Sequence, residues 1–396
     1  MYFQTLDDKG ECVGVYKDGN LYFKETMPEG LGRTWKYAEY LEEDDVQYAS
    51  IYSGNNSLSD CCPSHLIDEW TETEERLKAF YRSFIIAKVD MNQNCFFDLV
   101  PRQFLIRYCE IRNKITKYVF ENYEKPVNYD FMVDLTKVLT KIRYQKLNLD
   151  VAALSKKAHL PKFRQAMKKY SQIQPYCRYN IKGTKTGRLT TLSDSFPIMT
   201  LDKDLRSMVK PTQDWFVELD FNAAELRTLM ALAGSETPLE DIHSWNATNL
   251  FPPSTERAEA KQRFFSWLYD DNKNNPNLAK YYDRDGVREK YWDGKEVKTI
   301  FGRTIEADKK HALNYIIQST TADLVLRQLI KVFNFLKDKR SFVSFTIHDN
   351  IVLDIPDEER YIIPEVIEIF SQTELGKFLV NVKAGKDFGN LKDLNL

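Results

Sequence analysis

Two aspartates, Asp220 and Asp349, carry the residue types and contexts best suited to chemistry in this chain. Asp220 ends the apolar run Trp215-Phe216-Val217-Glu218-Leu219 and is followed by Phe221-Asn222 and a helical stretch, Ala223 to Ala233. Asp349 follows Ser344-Phe345-Thr346-Ile347-His348 and precedes Asn350-Ile351-Val352-Leu353. Each context reads as a strand ending in a polar turn. Two carboxylates at neighbouring strand ends can hold a pair of divalent cations roughly 3.5–4 Å apart, which clamps the attacking and leaving oxygens of a phosphoryl transfer. Taken alone, each aspartate is equally well an ordinary turn residue.

Further groups accompany the pair. The loop Thr184-Lys185-Thr186-Gly187-Arg188-Leu189-Thr190-Thr191 precedes the first strand, and Asp241-Ile242-His243 opens a later segment. After Pro253-Ser254-Thr255, Arg257, Lys261, Phe265 and Tyr269 recur every fourth residue. That spacing places two cations and two aromatic rings on one helical stripe. Lys310, Asn314 and Gln318 repeat the spacing on a second helix. For single members of these sets, a solvated helix face or a packed ring is the ordinary alternative.

The elements that must position these groups are legible in outline. Residues 1–61 read as short strands and turns, with a strand at Cys12–Tyr16, a turn at Asp18-Gly19-Asn20 and a second strand at Leu21–Phe23. Helical spacing of apolar residues predicts helices over Thr73–Ala87, Phe104–Tyr123 and Tyr129–Tyr144. A helix is expected over Ile363–Gln372 and a last strand over Phe378–Val382. At 396 residues and 43% hydrophobic content, the chain can bury more than one core. Neither a membrane-spanning run nor a leader pattern is found, so a cytoplasmic protein is expected. The six cysteines (Cys12, Cys61, Cys62, Cys95, Cys109, Cys177) include no C-x-x-C pair. Free thiols are therefore expected, rather than a disulfide framework or a zinc site.

Charge is unevenly distributed. Residues 101–190 hold 20 Lys and Arg against 6 Asp and Glu in a chain of net charge −2. A basic block of this kind either faces a polyanion or forms solvated helix faces. Its continuation from Lys156, Lys157, Lys168 and Lys169 into Arg178, Lys182, Lys185 and Arg188 favours nucleic acid.

Taken in order, these motifs resemble the polymerase module of family A DNA polymerases, the DNA polymerase I family. Thr184–Thr191 resembles the T-x-T-G-R-L-S-S loop, and Asp220–Arg227 resembles the motif D-Y-S-Q-I-E-L-R. Arg257, Lys261, Phe265 and Tyr269 fit the R-x3-K-x3-F-x3-Y helix, Asn314 and Gln318 the helix after it, and His348-Asp349 the H-D-E motif. The resemblance covers about residues 178–396.

It implies an α+β right-hand polymerase fold with an antiparallel-sheet palm and helical fingers and thumb. The expected division is an N-terminal strand and turn region of unknown role (1–61), a basic thumb (62–180), palm (181–255), fingers (256–319) and palm again (320–396). Two Mg2+ ions would be held by Asp220, Asp349 and the backbone carbonyl of Phe221. Lys261 would act with the aspartates in catalysis. The nucleotide would meet Arg257, Lys261, Phe265, Tyr269, His243 and Glu225, the last as a steric gate against ribose. Arg188, Lys310, Asn314, Gln318 and His348 would contact DNA. The implied partners are primer–template DNA and dNTPs, with a separate exonuclease or processivity factor, and no membrane. Proofreading and 5′-nuclease domains are not expected, which points to a phage-type enzyme.

Departures from the family pattern accompany the match. Asn350 stands where the family has Glu, and Ala223-Ala224 replaces Gln-Ile. The stretch between Tyr269 and Arg303 is short, so trimmed fingers are expected. Three other classes share parts of this constellation: a single-subunit RNA polymerase, a non-catalytic DNA-binding relative, and a metal-dependent nuclease. The aromatic stripe has no use in a nuclease, and Glu225 separates the two polymerases.

Overall fold

The computed structural model describes residues 1–7, 13–23, 26–41, 45–91, 93–270 and 272–394. Two compact units divide the chain, Met1–Thr140 and Lys141–Leu396.

In the first unit a three-stranded antiparallel sheet, Gln4–Thr5, Gly14–Lys17 and Asn20–Phe23, is followed by the helices Ile67–Ile86 and Arg102–Asn122. The hairpin turns at Asp18 (φ 51°) and Gly19 (φ 81°), the doubly left-handed pair that a two-residue connection requires. Of the expected strand Cys12–Tyr16, Cys12 lies outside the described residues. Helix Arg102–Asn122 buries Phe104, Leu105, Tyr108, Cys109, Ile111, Ile115 and Val119 along one stripe, the spacing read from the sequence. Buried Gln4 donates to Asn113 and Thr116 on that helix. The expectation of free thiols needs one correction. Cys61, Cys62, Cys109 and Cys177 are free, but Cys95 is disulfide-bonded. Sequence spacing carries no information on a pairing that the fold creates. Among the described residues, no helix is long and apolar enough to cross a membrane.

The second unit is built around a five-stranded antiparallel sheet ordered Phe342–Ile347, Asn350–Ile355, Trp215–Phe221, Val380–Gly385, Lys392–Asp393. Trp215–Phe221 is the central strand. Val217, Leu219 and Phe221 alternate onto one face with Ile351, Leu353 and Val382, and helix Ile363–Ser371 covers that face through Phe370 stacked on Phe221 at 4.4 Å. The strand expected as the last begins at Val380, two residues later than expected, with Phe378 against Phe221 in the same core, and it is followed by a further strand, Lys392–Asp393, which the sequence did not show.

A second core gathers Leu229, Ile242, Phe264, Trp267, Tyr282 and Ile316 from the helices Ala224–Leu232, Ile242–Leu250, Arg257–Tyr269, Pro276–Tyr282 and Lys309–Phe335. Helix Lys309–Phe335 also packs on Ile363–Ser371, where buried Gln328 lies 2.7–2.9 Å from the carbonyls of Ile369, Phe370 and Gln372. Those carbonyls end a helix and have no partner of their own within it. The arrangement is α+β, as expected.

Candidate active site

The exposed end of the central strand collects the carboxylates. Asp220 pairs in register with Asn350 on one side and Asn381 on the other. Directly opposed residues share a sheet face, so Asp220 lies between two asparagines, with Glu218 and Lys383 two residues along. Asp349 occupies the turn between the hairpin strands, and His348 before it takes a left-handed conformation at φ 53°. Only His348 and Asp349 lie between the paired residues Ile347 and Asn350, and Asn350 is opposite Asp220, so Asp349 is carried to the same end of the sheet as Asp220.

Burial raises the Asp220 carboxyl to about 6, with the negative charges of Glu218 and Asp349 adding to it and the Asn381 hydrogen bond opposing it. Asp349 Oδ1 and Asn350 Oδ1 are buried and accept no hydrogen bond. A site lined with unsatisfied acceptors and short of positive charge suits a hard divalent cation. Among the described residues, no group of three or more His, Cys, Asp or Glu is arranged to hold a metal. The fit therefore rests on two aspartates assisted by neutral oxygens. Phe221 gives its ring to the core, so only its backbone carbonyl is left for such a role.

Glu225 stands in the first turn of helix Ala224–Leu232, after Ala223 at φ 50°. Its partner is Arg188, whose Nη2 lies 2.5 Å from Glu225 Oε1 and 3.8 Å from Asp349 Oδ2. Burial raises the Glu225 carboxyl, and Arg188 counters the rise. The structure thus joins Arg188, placed with DNA by the sequence, to the acidic cluster itself. The loop carrying Arg188 is fixed at Gly187, at φ 81°, where an added Cβ would lie 2.5 Å from the Arg303 guanidinium. Arg303 in turn pairs with buried Asp323, with Nη2 2.7 Å from Oδ1.

Helix Arg257–Tyr269 buries Ala260, Phe264, Trp267 and Leu268 and keeps Arg257 and Lys261 exposed. Phe265 is half-buried. Its ring lies nearly parallel to that of Tyr269 (6.2 Å, 8°) and 6.3 Å from His243. Tyr269 is 56% exposed, and its hydroxyl is raised by partial burial and then by the charge of Glu225. Buried His243 has an unpartnered Nδ1, and burial and Lys261 hold its imidazole below the ordinary range.

Arg257 is engaged by Asp241, Nε to Oδ2 at 2.8 Å and Nη2 to Oδ1 at 2.9 Å. Its hydrogen bonds hold Asp241 well below the usual carboxylate range. On helix Lys309–Phe335, Gln318 donates to Asn314 at 3.0 Å, while Lys310 and His348 are exposed.

Several residues that organise the site were given no role by the motif reading. Arg227 is fully buried and donates to the carbonyls of Asn222, Pro238 and Glu240 and to Asn222 Oδ1. Its signal was available, since a lone arginine in the run Leu226–Leu232 must be buried and satisfied. Asp241 was legible as an N-cap, spaced three residues before Ser244. Arg284 ends the helix at Tyr269 by donating to the carbonyls of Trp267, Asp270 and Lys273. No spacing in the sequence indicates that.

Comparison with known proteins bears on the ancestry and the fold of the chain. No protein-family model matches the chain. It is 27% identical over 234 residues to the thermostable DNA polymerase I of Thermus aquaticus, covering 46% of this chain and 28% of that protein. With DNA polymerase I of Borreliella burgdorferi it shares 22% identity over 357 residues, 67% of this chain and 39% of that one. The chain therefore spans well under half the length of these relatives. Among solved structures, the POL domain of Pol1 from M. smegmatis, in complex with DNA primer-template and dNTP, superposes with a TM-score of 0.53 at 14% identity, covering 72% of this chain and 75% of that one. The chain is a distant homologue of DNA polymerase I over about half its length, and it has the fold of a polymerase domain.

Proposed function

We propose that this chain is a template-directed DNA polymerase that extends a primer 3′-hydroxyl with dNTPs. The observation that carries the reading is Arg188, whose guanidinium lies 2.5 Å from Glu225 and 3.8 Å from Asp349 and so gathers the loop, the helix after the central strand and the hairpin turn into one cluster.

In this reading Asp220, Asp349 and the Phe221 carbonyl hold two Mg2+ ions. Bound there, the ions would make the primer hydroxyl a better nucleophile and neutralise the leaving pyrophosphate. Arg257, Lys261 and His243 bind the phosphates, with Arg257 as a fork and Lys261 as a point charge close to the reacting group. Phe265 and Tyr269 stack against base and sugar, since a ring face accepts any base. Glu225, fixed by Arg188, fills the space a ribose 2′-hydroxyl would need. Arg188, Asn314 and Gln318 donate to minor-groove acceptors common to all base pairs, and Lys310 and His348 meet the backbone. Residues 62–180 serve as thumb, 256–319 as fingers and the two flanking segments, 181–255 and 320–396, as palm. A phage-type enzyme in a host cytoplasm, acting with a separate exonuclease or processivity factor, completes the reading and is supported by the sequence alone.

Primer extension in magnesium, comparing dNTPs with rNTPs, tests it. Extension is expected with dNTPs and is expected to fall by at least about a thousandfold in Asp220→Ala and Asp349→Ala, since each removes a ligand of the reacting metals. Primer–template binding should persist in both variants. Near-normal extension by either variant would sink the assignment. Equal use of rNTPs would move it to an RNA polymerase.

A further inference from the structure

We propose that Asp241 sets the affinity of the site for triphosphate: it holds Arg257 whenever phosphate is absent, and an incoming nucleotide must displace it to engage that guanidinium. The inference rests on reading the Arg257 helix as the phosphate-binding element.

Five hydrogen bonds converge on the Asp241 carboxylate. Oδ1 accepts from Asn222 Nδ2 at 3.1 Å and Arg257 Nη2 at 2.9 Å. Oδ2 accepts from the Ser244 amide at 2.9 Å, Ser244 Oγ at 2.8 Å and Arg257 Nε at 2.8 Å. Two carboxylate oxygens offer about four acceptor sites in all, so the set is saturated. Removing Arg257 leaves three bonds in place. The carboxylate stays satisfied, and the helix Ile242–Leu250 keeps its cap. Asp241 itself cannot follow the arginine, because Arg227 fixes both of its neighbours: it donates to Asn222 and to the carbonyl of Glu240.

Arg257 is the movable partner. Its side chain is 56% exposed, against 28% for Asp241. The fork geometry that grips a carboxylate also grips a phosphate, so the two anions compete for one donor pair. His243 lies two residues beyond Asp241 and Lys261 one turn beyond Arg257, so a phosphate drawn in by them arrives beside the pair. A group that only braced the fold would not need its counter-charge on an exposed, flexible side chain of the nucleotide helix.

Titration calorimetry with tripolyphosphate, in the absence of added metal and DNA, tests the competition on the intact chain. Asp241→Asn keeps a capping side chain and removes the charge, and Asp241→Ser serves the same comparison. An exposed ion pair of this kind is worth little, so either variant should bind tripolyphosphate about two- to fivefold more tightly. The gain should vanish when Arg257→Gln is added to Asp241→Asn. Unchanged or weaker binding in the charge-removed variants would overturn the proposal and leave Asp241 a structural cap. Should Arg257→Gln and Lys261→Gln each leave tripolyphosphate binding of the otherwise native chain unaltered, the phosphate-helix assignment itself falls, which is a different failure with a different signature.

Discussion

The carboxylate end of the sheet and the Arg257 helix satisfy charge in opposite ways. At the sheet end, Asp220 is half-buried with more negative than positive neighbours, and Asp349 Oδ1 and Asn350 Oδ1 lack any donor. On the helix side, Arg257 already has a bidentate carboxylate, Asp241 is saturated, and Lys261 stands exposed. The anionic half is thus unstable as it stands and improves on gaining cations. The cationic half is stable as it stands and improves only by exchange. Metal should therefore bind by filling a deficit, while the nucleotide must win a competition.

Beyond the loss expected on removing either aspartate, the largest effect is expected on the nucleotide side. Phe265 carries no hydroxyl, so a substrate 3′-hydroxyl near this ring must supply the polar contact to the phosphates itself. A dideoxynucleotide loses that bond to a charged group, worth roughly 1.5–3 kcal/mol, or about ten- to a hundredfold in rate. Phe265→Tyr should relax the discrimination by that factor in competition between dATP and ddATP. Equal discrimination by both proteins would place Phe265 in packing alone, as its half-buried contacts with His243 and Phe264 would also permit.

A middle-sized effect tests the charge deficit directly. The folded protein binds the Asp220 proton more tightly than the unfolded chain, with a folded value of about 6 against an ordinary value of about 3.9. The ionised carboxylate therefore costs stability. That cost is absent below about pH 4, grows between pH 4 and 6, and is complete above pH 6. Without metal, Asp220→Asn should raise stability at pH 8 by on the order of 1–3 kcal/mol and change little at pH 4. Magnesium should stabilise the native protein and have less effect on the variant. A variant less stable than native at pH 8 would show that Asp220 is already paid for by Asn381 and Lys383, and the contrast between the two halves would collapse.

The smallest effect concerns Asn350, the cross-strand neighbour of Asp220. Asn350→Glu adds an anionic ligand to a site short of them and should tighten Mn2+ binding several-fold, read from the free-ion resonance signal. Unaltered Mn2+ affinity would mean that the Asn350 side chain stands apart from the ions.

How much was legible differs between the halves for a physical reason. The central strand and the hairpin were readable as short, mostly apolar runs bounded by polar turns, being buried on both faces, and helix Arg257–Tyr269 by its recurrence of like residues every fourth position. Boundaries slipped where tertiary contacts decided them, as at Ile67, where a helix begins six residues before the apolar spacing does. The carboxylates were readable as strand ends. The pairing of Arg188 with Glu225 and of Arg257 with Asp241 was not, because such pairs join residues 37 and 16 positions apart through the fold. The same holds for the disulfide at Cys95.

The register of the sheet gives the two aspartates unequal backbones. Asp220 stands on a strand hydrogen-bonded along both sides, whereas Asp349 stands on a turn between two strands, after a residue in a sparsely populated conformation. Doubly paired strands open only with the whole unit, while turns fluctuate on far shorter timescales. In the two-metal reading proposed above, one side of the pair would be anchored as firmly as the protein is folded. The other would breathe, so that adjustments in ion spacing would fall to the hairpin tip.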